Sequence, residues 1–183
     1  GKMLLTYDPL PRQRQVSLIA EVRDFSGRLI RRHTFASETL PARQVGRLEV
    51  ALPMEKLFTS DAERKGAFVH YELRDVRTKA LITELTDYAA RTKELRLPRT
   101  KAGDFTIKTT RRAGTLFIDI QSKTLLKDAY IDLGETGWQL SDNFLDILPG
   151  RRYRLRATRR QNAPARTTTA LPTVSLRSIT TAE

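Results

Sequence analysis

The chain has no cysteine, so disulfides and thiolate metal sites are excluded from its 183 residues. It has two histidines and no His or Cys neighbour at ligand spacing beside either one, so no zinc motif is present. Its longest apolar runs span a handful of residues, far short of the roughly 20 that a membrane helix requires. Acidic residues are scarce relative to basic ones, 21 against 33, which leaves a net charge of +12. Split at Arg99, the two parts each carry near +6, so the basicity is spread and not gathered in a tail. Spread charge gives solubility and weak attraction to polyanions without defining a nucleic-acid site. Gly-x-Gly-x-x-Gly, Gly-Lys-Ser/Thr and Gly-x-Ser-x-Gly are all missing, which removes the common phosphate cradles and the serine-hydrolase elbow.

What is present is alternation with a period of two. Val16, Leu18, Ala20 and Val22 share one face of a half-buried strand. Phe25-Ser26-Gly27-Arg28 reads as a turn, and Leu29–Phe35 returns. Gly46–Leu52, Ala67–Arg74 and Ala80–Tyr88 alternate likewise, while Met54–Arg64 is the best candidate for a short helical turn. Glu94–Arg99 reads as an exit strand and linker. Beyond it come Asp104–Lys108, Thr115–Ile120, Asp128–Leu133, the Trp138–Leu148 region, Arg152–Thr158 and Thr173–Ile179. Strands every 8 to 12 residues with turn signals between them predict an all-β sandwich or barrel. The reading is two tandem sandwiches, residues 1–98 and 99–183, meeting near Pro98.

Few residues invite chemistry. His33 and His70 alternate within predicted strands, and His70 falls on the polar face of its own. Asp142 and Asp146 stand four apart near Trp138 and Tyr130, a spacing that admits a sugar subsite. Carboxylates and amides at a bend more often accept hydrogen bonds from their own backbone. Hence catalytic, cofactor-binding and metal residues are all expected to be absent. The Ser141–Gly150 corner is expected to be structural, with Trp138, Phe144 and Leu148 buried and Asp142 or Asn143 bonded to nearby backbone. An exposed Trp138 would instead stack on a sugar ring. The cluster Arg151, Arg152, Arg154, Arg156, Arg159 and Arg160 places Arg152, Arg154 and Arg156 on one strand face. That stripe carries no interleaved stacking aromatic on its own face, which argues for a solvated or edge-protecting face over a nucleic-acid groove.

One segment is specific enough to suggest a family. Ser141-Asp142-Asn143-Phe144-Leu145-Asp146-Ile147-Leu148-Pro149-Gly150, entered from Leu133–Trp138, resembles the last immunoglobulin-like domain of β-mannosidases in glycoside hydrolase family 2. Leu145 stands where the relatives more usually carry an aromatic. Val22–Arg28, Leu40-Pro41-Ala42, Tyr71–Asp75 and Leu95–Pro98 resemble the preceding domain of such enzymes, with Met3–Tyr7 as the remnant of its first strand. The resemblance implies two immunoglobulin-like sandwiches without catalytic residues, because the family's paired glutamates lie on a barrel that this segment does not match. It implies packing on the barrel and N-terminal domains of the same polypeptide, and admits a homodimer and a glycan as further partners. Nucleic acid and membrane are not expected. The opening Gly1-Lys2-Met3 reads as a fragment boundary without a signal peptide, and a periplasmic or secreted location is favoured over a cytoplasmic one. The alternative is a free-standing module for glycan or polyanion.

Overall fold

The computed structural model describes residues 2–7, 9–43, 45–51, 54–134, 137–160 and 171–181. The chain forms two compact units: Gly1–Asp24 with Arg28–Arg96, and Phe25–Gly27 with Leu97–Glu183. Both are built from antiparallel strands, and the fold class is all-β with immunoglobulin-like sandwiches.

In the first unit, β2 (Arg14–Asp24) and β6 (Ala67–Asp75) run side by side through nine paired positions. They are flanked by β3 (Leu29–Thr34) and β7 (Leu81–Asp87), giving the order β3-β2-β6-β7, with β4 (Glu38–Leu40) also pairing β2. A second, two-stranded sheet joins β1 (Lys2–Tyr7) to β5 (Gly46–Ala51). The alternation at Val16, Leu18, Ala20 and Val22 meets Val69, Tyr71 and Leu73, and these residues form the core together with Leu57 and Phe58. The expected helical turn is two short helices, α1 (Met54–Leu57) and α2 (Asp61–Gly66). Ser60 caps the second by accepting the Glu63 N–H, satisfying one of the donors that a helix start leaves open.

In the second unit, β8 (Phe105–Arg112), β9 (Thr115–Ser122), β11 (Trp138–Leu140) and β13 (Arg152–Arg159) form a sheet in the order β11-β13-β9-β8. The other sheet is β12 (Leu145–Ile147), β10 (Leu126–Asp132) and β14 (Ser175–Arg177), in the order β12-β10-β14. The fully buried side chains of Leu116, Ile118, Ile120, Leu126, Ile131 and Ile147 fill the space between them. The β8–β9 hairpin turns on Ala113 and Gly114, both at positive φ, the backbone that a two-residue turn needs to follow the twist of its strands. The exit strand expected over Glu94–Arg99 is not one. Thr92–Glu94 is a single 3₁₀ turn, and Leu95–Arg99 is irregular. Pro98 lacks the N–H that a ladder requires.

Candidate functional site

Three places gather the polar and aromatic residues of interest, and each grows from strand register. The first is the corner between β11 and β13. Asn143 acts here as a substitute strand. Its Oδ1 accepts the Ile131 N–H at 2.7 Å, and its Nδ2 donates to the Ile131 carbonyl at 3.0 Å. Asp142 accepts the Asn143 N–H, as expected of a residue at a bend. Asp146 braces a different element from the one anticipated. Between Leu126 and Ala129 the pairing of β10 with β12 slips, so that two residues oppose one, and Asp128 takes a positive φ of 50°. The Asp146 carboxylate accepts the Asp128 N–H at 2.9 Å and lies 3.8 Å from the buried Lys127 ammonium. It thus stabilises the bulge in the neighbouring strand. The Pro149-Gly150 turn closes as sequence patterning implies, with Gly150 at φ +72° and the Arg151 N–H reaching back to the Leu148 carbonyl. Tyr153 Oη accepts the Leu148 N–H.

The corner departs from expectation in its aromatics. Leu148 is buried, but Phe144 is 68% exposed and Trp138 only half-buried. The reason is the cross-strand bond made by the preceding residue. Asn143 spends its side chain on Ile131, and Phe144 follows in the left-handed region at φ +56°, which turns its ring outward onto Tyr130, 5.0 Å away centre to centre. Trp138 packs against the core while the guanidinium carbons of Arg111 and Arg159 lie 5.9 and 5.6 Å from its ring centre. That ring is taken up by packing and cation–π contact.

The second place is the outward face of the β11-β13-β9-β8 sheet. Arg152, Arg154 and Arg156 are exposed on it, as the alternation of β13 requires. Register supplies what one strand could not show: Asp119 stands opposite Arg154, and Phe117 opposite Arg156. Arg154 grips Asp119 with two bonds of 2.8 and 2.9 Å and sits 5.8 Å from the Phe117 ring. The Arg154 guanidinium, aided by Arg152 and Lys108, holds the Asp119 carboxyl below the usual carboxylate range.

The third lies in the first unit, on the face of β6 turned away from the core. His70 is 4% and Glu72 8% exposed, and Glu84 stands directly opposite Glu72 on β7. The His70 Nε2 is 3.3 Å from a Glu84 oxygen and 3.6 Å from a Glu72 oxygen, while Nδ1 meets the Thr86 hydroxyl at 3.2 Å. Among the described residues these three offer ligand atoms within 4.8 Å of one another, a set able to hold a divalent ion. Sequence reading placed His70 on the polar face but missed both its burial and its carboxylates. The glutamates come from an i+2 neighbour and from a strand fourteen residues away, and only cross-strand register joins them. His33 lies apart, edge-on to Phe35 at 4.6 Å.

The geometry of both units is that of immunoglobulin-like β-sandwiches, and the comparisons agree. Residues 97–182, just under half of the chain, match the Ig_mannosidase family of Ig-fold domains. The whole chain superposes on part of the β-D-mannosidase of Dictyoglomus thermophilum, with a TM-score of 0.64 and 16% identity. It covers 21% of that enzyme. Four-fifths of the chain superposes on part of the exo-chitosanase CsxA of Amycolatopsis orientalis, with a TM-score of 0.52 and 10% identity, again over 21% of that protein. The chain therefore spans about a fifth of the length of these structural relatives, and at such identities the likeness is one of fold. A search of curated proteins returns no match. The resemblance carried by Ser141–Gly150 is thus supported for the second unit by the family match, and for the fold of both by the superposition.

Proposed function

We propose that this chain is a non-catalytic accessory region of a family-2 glycoside hydrolase, resembling those of β-mannosidases, in which hydrolysis of terminal β-mannosides is carried out by a separate barrel. The observation that carries the reading is the match of residues 97–182 to the Ig-fold domain family named for mannosidases. The chemistry of the described surface is consistent with it. A glycosidase needs one carboxyl kept protonated as acid and a second, about 5 to 10 Å away, as nucleophile or base. Asp142 and Asp146 are instead engaged with backbone N–H groups of Asn143 and Asp128, so both carboxylates are spent on bracing the chain. The role is architectural: two sandwiches packed on the barrel and N-terminal domains of the same polypeptide, with a homodimer contact as a further use.

The test is enzymatic and uses two samples. The 183-residue chain should not turn over aryl-β-mannosides or aryl-β-glucosaminides, whereas the natural polypeptide that carries it, identified by peptide mapping, should hydrolyse one of them. Turnover by the chain alone that vanished in Asp142→Ala or Asp146→Ala would overturn the reading. So would a natural polypeptide that contains these sandwiches and no barrel.

A further inference from the structure

The sheet β11-β13-β9-β8 presents an outward face on which charge is distributed in rows. Register sets Lys108, Asp119 and Arg154 side by side across β8, β9 and β13. The rows on either side end in Arg152, opposite Gln121, and Arg156, opposite Phe117. Arg112 lies on the same face at the end of β8, because it follows Lys108 by an even number of residues. All five cations are exposed, and Asp119 is the one carboxylate among the described residues of these rows. It is already committed: Arg154 holds it bidentately, with Lys108 and Arg152 adding to the field that keeps it ionised. The face therefore keeps an uncompensated excess of cations, with Arg152, Arg154 and Arg156 about 6.7 Å apart along one strand.

We propose that this face binds an anionic polysaccharide, a chain that carries carboxylate or sulfate groups along its length. Regular spacing along β13 suits a linear polyanion, and guanidinium forks suit planar or multi-oxygen anions. Single-stranded nucleic acid would need bare rings on which bases stack. The aromatic on these rows, Phe117, is half-buried with Arg154 beside its ring, so the face offers charge without a stacking platform. The preference for a polysaccharide also rests on the accessory reading above. That reading fails through turnover by the chain alone, and this one fails through binding, so the two failures are distinguishable.

The experiment measures the affinity of the 183-residue chain for heparin and for polygalacturonate by calorimetry at near-physiological salt, with a single-stranded oligonucleotide as third ligand. Arg152→Glu with Arg156→Glu should weaken polysaccharide binding at least about tenfold, because each reversal removes one contact to the polyanion and adds a repulsion. Arg12→Glu with Arg77→Glu, an equal charge change on exposed residues of the first unit, should weaken it less than about threefold. Thermal melting checks that the variants fold. Should the glutamate pair unfold, Arg152→Gln with Arg156→Gln is used and should still lose several-fold. Equal losses in the two pairs would overturn the proposal, since net charge alone would then explain binding. Failure to bind either polysaccharide, or tighter binding of the oligonucleotide through the same arginines, would overturn it as well.

Discussion

Both units lay a largely alternating strand through the centre of a sheet, yet they use the outward face in opposite ways. On β6 of the first unit that face is buried for most of its length. Phe68, His70 and Glu72 are buried, and the charges settle locally: Glu72 with Arg74 at 2.8 Å, Glu21 with Arg23 at 2.8 Å. On β13 of the second unit the same positions carry exposed arginines opposed by a single acid. Alternation therefore decides that one face is polar and leaves its chemistry open. Where carboxylates alternate with cations along the same strand face, long side chains pair and cover one another. Where they do not, cations stay in solvent and can meet a partner.

The two cores offer the sharpest way to test whether this contrast belongs to independent units. Ile118 is fully buried in β9, and truncation to alanine should cost roughly 2–5 kcal/mol, a large share of a small domain's stability. Ile118→Ala should lower one of two melting transitions by calorimetry and leave the other unchanged. A single transition that moves as a whole would show that the units unfold together.

A smaller loss is expected at Asn143. Alanine there removes both bonds to Ile131 and strands its backbone groups, at about 1–3 kcal/mol. The effect should appear in the second unit's denaturant midpoint. If Asn143→Ala is neutral, the corner is not held by that side chain.

The first unit hides a different weakness. Tyr71 is 1% exposed in the core, its hydroxyl has no hydrogen-bond partner among the described residues, and burial pushes its pKa up to about 12. The folded state thus favours the neutral phenol. Stability on this account is fully present below the unfolded value near 10 and is lost as pH rises toward about 12. Tyr71→Phe should remove that alkaline loss and, by deleting an unpaired buried hydroxyl, raise stability at neutral pH by about 1 kcal/mol. Alkaline melting curves of the two proteins would check both signs.

The smallest effect is expected at Phe144. Being exposed, it should tolerate alanine with a change within about 0.5 kcal/mol, and Phe144→Gly should be neutral or slightly stabilising because glycine accepts its positive φ without strain. Phe144→Ala that unfolded the second unit would restore the buried role which the sequence suggested and the structure corrects.

That residue shows what was legible in the chain and what was not. Most strands of both units, the Pro149-Gly150 turn and the shared face of Arg152, Arg154 and Arg156 follow from period-two alternation and turn chemistry, which act over a few residues, whereas short β4 and the irregular Leu95–Arg99 escaped that signal. The all-β class was therefore readable directly, and the resemblance at Ser141–Gly150 lay in the residue string itself. Whether Phe144 points in or out depended on Asn143 reaching Ile131, twelve residues away. The neighbours of His70 and of Arg156 were decided by which strands lie side by side and in what register. Local sequence determines the faces of a strand, because successive side chains must alternate. Only tertiary pairing decides what those faces meet, because register is set by the burial of the whole core.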